Sequence, residues 1–166
     1  MKIAIVSDSH DNVPNVEKFL DWAQKNKIEV IIHCGDLAAP SILKKEFGPK
    51  FSGPFHFVHG NVADRELNEE VAKQFPNVTL HGDQGELELD NKKIAFCHFP
   101  WQAKKLAETQ KYDLIFYGHD HKPWEEIIGK TRLLNPGTLA GLFSKATFAA
   151  YDTESNQAQL IILERI

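Results

Sequence analysis

The chain has 166 residues, 42% of them hydrophobic and 25% charged, with 10 glycines and 8 prolines. These are ordinary globular values, so collagen, coiled coil and wholesale disorder are excluded. The length predicts one domain over residues 1–166, with a core burying roughly two-thirds of the unfolded surface. The formal net charge of -4 argues against a general binder of DNA or RNA, which needs a basic face, but leaves room for a small phosphate ester held through a metal ion.

Taken in chain order, Lys2 to Ser7 reads as a short, β-branched buried strand. Asn12 is placed to cap a helix over Val13 to about Lys25, with Pro14 in its first turn. Glu29 to Cys34 reads as a second strand. A short helix is expected over Pro40 to Phe47, ended by Gly48-Pro49. Phe55 to His59 is a third strand, and Asp64 to about Phe75 a helix that stops before Pro76. The pattern then changes. Gly85–Leu89 and Lys92–His98 flank Asp90-Asn91 as a hairpin. Trp101 to about Thr109 reads as a helix and Leu114–Tyr117 as a strand. Two more hairpins are expected, from Trp124–Ile128 with Thr131–Asn135 and from Ala146–Tyr151 with Ala158–Glu164. Alternating strands and helices followed by hairpins predict an α/β protein of two mixed sheets with helices outside them.

Two cysteines, Cys34 and Cys97, form neither a disulfide framework nor a zinc-finger spacing, and are expected to be reduced, buried thiols. The apolar run Ile3–Val6 is too short for a secretory leader, and no stretch approaches the roughly 20 residues that span a bilayer. The expectation is a soluble, cytoplasmic protein.

The polar residues that matter stand at strand ends. Asp8 and His10 follow the first strand and Asp36 the second. Asn61 follows the third, His98 ends the hairpin strand, and His119 and His121 follow Leu114–Tyr117. Ligands of open α/β sheets bind beyond the strand C-termini. Imidazole and carboxylate donors suit manganese, iron, zinc, cobalt or nickel better than calcium. Gly35, Gly60 and Gly118 each precede a candidate ligand and permit a sharp turn there. Seven donors are too many for one ion. They suit two ions roughly 4 Å apart sharing a carboxylate. A single D-x-H carries little weight, but five such pieces in this order, each after an apolar run, carry much. His33, His56 and His81 read as strand or surface residues, and His59, two before Asn61, as a weaker candidate for the pocket.

The order D-x-H, G-D, G-N, H, G-H-x-H resembles the calcineurin-like metallophosphoesterase superfamily, and most closely its small single-domain bacterial and archaeal phosphodiesterases. The resemblance runs from Asp8 to at least Asn135-Pro136-Gly137. It implies a four-layer α/β/β/α sandwich. It implies one ion on Asp8, His10, Asp36 and His121 and a second on Asp36, Asn61, His98 and His119, with Asp36 bridging. Manganese is the first expectation for both, with iron, zinc, nickel or cobalt as alternatives. The implied reaction is hydrolysis of a phosphoester by a hydroxide bridging the ions, with Asp36, Asn61 and His98 at the catalytic centre. The substrate implied first is a small phosphodiester such as a cyclic nucleotide. A phosphomonoester or a nucleotide pyrophosphate is the alternative within the enzyme class. A scaffold of the same fold, as in retromer, is the alternative outside it. No polymeric nucleic acid or membrane partner is expected, while a homodimer is compatible with the resemblance.

Two departures stand out. Many relatives carry G-N-H-[DE], whose histidine protonates the leaving group, whereas this chain has Gly60-Asn61-Val62-Ala63-Asp64. After His98, where relatives usually have glycine, it has Phe99-Pro100-Trp101. Phe99 and Trp101 are expected either to form an apolar wall beside the ions or, for Trp101, simply to start and pack a helix. Trp124 is expected to line the cleft or pack in its hairpin.

Overall fold

A computed structural model describes residues 1–166. Two sheets stack face to face. The first has strand order β11-β10-β1-β2-β3-β4 and the second β5-β6-β7-β9-β8. In the first, β1 (Lys2–Val6), β2 (Val30–His33), β3 (Phe55–Phe57) and β4 (Val78–Leu80) run parallel. The hairpin of β10 (Thr147–Asp152) and β11 (Gln157–Ile162) joins antiparallel through β10 to β1. In the second, β6 (Lys92–Cys97), β7 (Leu114–Phe116) and β9 (Thr131–Asn135) are parallel. Their antiparallel edges are β5 (Gln84–Leu89) and β8 (Trp124–Ile128).

The period of two along each strand builds the layers. Ile3 and Ile5 of β1, Val30 and Ile32 of β2, and Ile94, Phe96, Leu114 and Phe116 of β6 and β7 form the core between the sheets. Ala4 and Val6 point the other way, onto α1 (Val13–Lys25), meeting Val16, Phe19, Leu20 and Ala23. Those four recur at helical spacing, so one stripe of α1 is buried. Asn12 caps the helix by accepting from Asn15 N–H at 3.3 Å. On the outer side of the second sheet, Ala95, Cys97 and Ile115 meet Ala103 and Ala107 of α5 (Pro100–Glu108). The small alanine faces let this helix lie close to the sheet. Helix, sheet, sheet and helix therefore stack in four layers, as expected.

Two expectations need correction. Gly48-Pro49 does not end the helix that starts at Pro40. Residues Pro40–Ile42 (α2), Leu43–Phe47 and Gly48–Lys50 (α3) form one continuous helical segment whose middle turn is π-helical. Gly48 N–H reaches back five residues to the Leu43 carbonyl. This widened turn accommodates Pro49, which has no N–H to offer a regular α-turn. The second correction is β4, which the sequence reading left out. It is a three-residue strand that pairs Phe55–Phe57 with Val78–Leu80 at the sheet edge. The helix expected over Asp64 to Phe75 is α4 (Arg65–Ala72), with Asp64 as its cap.

Candidate metal centre

All seven candidate donors lie beyond the C-terminal ends of parallel strands. Asp8 and His10 follow β1, Asp36 follows β2, and Asn61 follows β3. His98 follows β6, and His119 and His121 follow β7. The two sheets thus present one common edge, and hydrogen bonds stitch its loops together. Asp8 N–H donates to the Gly35 carbonyl at 3.0 Å, His10 N–H to the Asp36 carbonyl at 3.2 Å, and Gly118 N–H to the His98 carbonyl at 3.0 Å.

The turns are tight. Asp8, His10, Asp36, His119 and His121 all have positive φ, between 37° and 75°. Left-handed backbone costs a non-glycine residue about 1–3 kcal/mol, and such strain gathers at functional sites. Two glycines make the approach possible. A Cβ on Gly60 would collide with the Asp36 carboxylate, and one on Gly118 with the side chains of Ser7 and Asp8.

The side chains form two groups with Asp36 between them. In one, His121 Nε2 lies 3.2 Å from Asp8 Oδ1 and 3.2 Å from His10 Nε2. In the other, Asn61 Oδ1 lies 3.0 Å from His98 Nε2 and 3.0 Å from His119 Nδ1. Asp36 Oδ2 is 3.7 Å from His10 Nε2 and 3.4 Å from His98 Nε2, so a single oxygen faces both groups. Its other oxygen accepts from Val62 N–H at 3.1 Å.

Protonation follows from the outer contacts. His98 Nδ1 donates to the Cys34 carbonyl at 2.9 Å, and His121 Nδ1 donates to the Leu142 carbonyl at 3.3 Å. A carbonyl can only accept, so in the neutral rings both Nε2 atoms carry lone pairs. Those lone pairs are aimed at oxygens and at another imidazole nitrogen. Asp8 Oδ1 is buried with no hydrogen-bond partner. Electron-rich atoms crowded in this way repel unless a cation or a proton lies among them. Without a cation the protons adjust. Burial lifts the Asp8 carboxyl above its ordinary range. Burial opposes ionisation of Asp36 and His98 too, but their mutual contact outweighs it, lowering Asp36 and raising His98. The donor set therefore fits divalent transition metals, with four imidazoles, two carboxylates and one amide oxygen.

The remaining histidines stand apart. His33 is fully buried beneath the β1 loop, where its Nε2 lies 3.0 Å from Ser9 Oγ and its Nδ1 accepts from Gly35 N–H. It is a strand residue that positions two loops. His56 and His81 contact each other at 3.1 Å. His59 lines a separate cleft with Glu69, Lys73 and Gly82 and does not join the seven. Cys34 and Cys97 are free and buried, and burial pushes both thiols up, Cys97 to about 12. They are inert.

The two departures acquire a physical account. Val62 gives its backbone N–H to Asp36, and its side chain is half exposed. Asp64 accepts from Leu67 N–H at 3.2 Å and so serves as a helix cap. Phe99 meets the rings of His98 and His119 edge-on, with centroids 4.9 Å and 4.8 Å away. Trp101 stands in the first turn of α5, is 56% exposed and lies nearly parallel to Phe99. Trp124 begins β8 and is also exposed. The sequence reading overlooked two positioning residues. Thr138 Oγ1 donates to the Asp8 carbonyl at 2.9 Å, and Asn135 Nδ2 to the Gly118 carbonyl at 3.1 Å, just before His119. The Asn135-Pro136-Gly137 run was the available signal.

The family model for the calcineurin-like phosphoesterase superfamily domain matches residues 1–156. The chain belongs to that superfamily. It is a metal-dependent phosphoesterase. A phosphodiesterase of Methanocaldococcus jannaschii is 29% identical over 167 residues, spanning 99% of this chain and 100% of the relative. The phosphodiesterase YfcE of Escherichia coli is 26% identical over 159 residues, spanning 84% and 80%. A solved structure of a novel archaeal phosphodiesterase has a TM-score of 0.90 at 27% identity, covering 98% of this chain and 99% of that one. No helix in this phosphoesterase is long and apolar enough to cross a membrane.

Proposed function

We propose that this phosphoesterase is a two-metal phosphodiesterase of one domain. Asp8, His10, Asp36 and His121 would hold one ion. Asp36, Asn61, His98 and His119 would hold the second, with the Asp36 carboxylate shared. The observation that carries the reading is the single oxygen, Asp36 Oδ2, facing His10 and His98 at 3.7 Å and 3.4 Å between two clusters of lone-pair donors. When bound, the ions supply charge neutralisation for the phosphoryl oxygens and a lowered pKa for water beside the phosphorus. Manganese is the first candidate, and iron, zinc, nickel and cobalt suit the same donors.

The chain's own residues do the rest. Asp8 and Asp36 contribute two negative charges, fewer than two divalent cations bring, so the centre stays positive and attracts an anionic ester. Cys34 and Leu142, through their carbonyls, fix the His98 and His121 tautomers with Nε2 toward the cleft. Val62 N–H and Gly60 hold Asp36 in register. No imidazole stands at position 62 and Asp64 is occupied as a cap, so these two residues supply no acid to the leaving group. The substrate class is a small phosphodiester, a cyclic nucleotide among the candidates, and the relatives described as phosphodiesterases support the diester over a monoester.

The test is hydrolysis of bis-p-nitrophenyl phosphate and p-nitrophenyl phosphate by metal-stripped protein, with and without manganese. The expected result is manganese-dependent turnover with the diester preferred. A preference for the monoester would make the enzyme a phosphatase instead.

A further inference from the structure

The rim of the centre carries a feature the metal reading does not use. Phe143 is 99% exposed, and its φ is 62°, in the left-handed region that a bulky side chain avoids. Its ring nevertheless has a defined place. It lies nearly parallel to the His121 imidazole, with centroids 6.1 Å apart and planes at 27°. The loop that carries it is anchored to the same residue from two sides. Ser144 Oγ donates to the His121 carbonyl at 2.9 Å, and the Leu142 carbonyl accepts from His121 Nδ1 at 3.3 Å. A strained backbone and a wet phenyl ring are both unfavourable for the free protein.

A second aromatic surface abuts the other donor group. Phe99 and Trp101 have planes within 20° of parallel and centroids 6.1 Å apart, and Lys105 sits over the Trp101 ring at 5.2 Å. Phe99 abuts His98 and His119, which belong to the Asn61 group, whereas Phe143 abuts His121, in the Asp8 group. One aromatic surface therefore abuts each donor group, and Asp36 Oδ2 faces both groups. A phosphodiester held at Asp36 would have an aromatic surface beside each of the two donor groups.

We infer that Phe143 and the Phe99–Trp101 plate form a two-sided stacking clamp that selects phosphodiesters with planar aromatic ester groups, aryl or nucleobase, over those with alkyl groups. This deepens the diesterase reading and rests on it. Stacking on a protein aromatic ring is insensitive to base identity, so the clamp would grade substrates by planar area and not by sequence.

The test is calorimetric binding of two slowly reacting probes, diphenyl phosphate and dimethyl phosphate, to manganese-loaded protein. Both carry one negative charge, and they differ in planar groups. Diphenyl phosphate is expected to bind at least tenfold more tightly. Phe143→Ala should close most of that gap and Phe143→Tyr should keep it. Trp101→Ala should narrow it independently. Because Phe143 is fully exposed, its replacement leaves the core intact. Equal affinity for the two probes, or a gap unmoved by Phe143→Ala and Trp101→Ala, would overturn the clamp. A clear gap with no cleavage of bis-p-nitrophenyl phosphate or cyclic nucleotides would instead leave the clamp standing and sink the diesterase reading.

Discussion

Gly60→Ala is a one-methyl change with a calculable consequence at the centre. The added carbon would fall on Asp36 Oδ1 and the Asp36 backbone nitrogen, and 2.7 Å from Asp36 Cγ. Comfortable carbon contacts lie near ~3.5–4.0 Å, so the Asp36 carboxylate or the Gly60 loop must move by at least about 1 Å. Asp36 Oδ2 faces both donor groups, at 3.7 Å and 3.4 Å, so the shift disturbs both at once. A misplacement of about 1 Å can cost about 100-fold in rate, which is about 2.7 kcal/mol of transition-state stabilisation. The assay is kcat/KM for bis-p-nitrophenyl phosphate at saturating manganese, with the thermal melt and manganese affinity measured on the same samples. Gly82→Ala is the comparison. Nothing lies within 4 Å of its added carbon, but its φ of +75° is unfavourable for alanine. It should lower stability by about 1 kcal/mol and leave kcat/KM within twofold. A folded Gly60→Ala enzyme with activity within threefold of the parent and unchanged manganese affinity would refute the role given to Asp36.

Three further outcomes follow from the same geometry. Asp36→Asn should lower kcat/KM for the diester by at least about 100-fold, whereas His56→Ala, outside the centre, should change it less than twofold; equal small effects would remove Asp36 from the bridging position. His98→Ala should weaken one of two manganese-binding events in a titration and leave the other within a few-fold, and a uniform loss of both would contradict the division into two groups. Burial and the neighbouring His81 hold the His56 pKa down to about 4. As pH falls from 6.5, the unfolded chain therefore takes up a proton that native His56 resists, and stability is lost progressively down to that value. In metal-free protein the unfolding free energy should accordingly fall less steeply from pH 6.5 to 5 in His56→Gln than in the parent, by less than one proton because the ring is partly exposed. Identical slopes in denaturant melts would refute this.

The sequence made the centre legible because each donor follows an apolar strand and the strand ends share one edge. Asp8, His10, Asp36, His98, His119 and His121 could be placed from that pattern. Asn61 is less direct, since β3 ends at Phe57 and the intervening residues form a loop. Only the order of motifs recommends it. Other elements left weaker traces. Val78–Leu80 is too short for any periodicity to register, and it is a strand because the edge of β3 is available to it. Gly48-Pro49 reads as a helix stop by local rules, but a π-turn upstream absorbs the proline. Phe143 illustrates a different limit. Its exposure and its stacking on His121 are created by the packing of two distant loops, and nothing in its neighbours in sequence announces either.

On the proposed reading, seven residues from five strand ends assemble two cation sites around one shared carboxylate. Anomalous diffraction from manganese-soaked crystals tests it most directly. Two manganese peaks are expected, one against Asp8, His10 and His121 and the other against Asn61, His98 and His119, with Asp36 contacting both. A single peak, or two peaks of which only one touches Asp36, would contradict it.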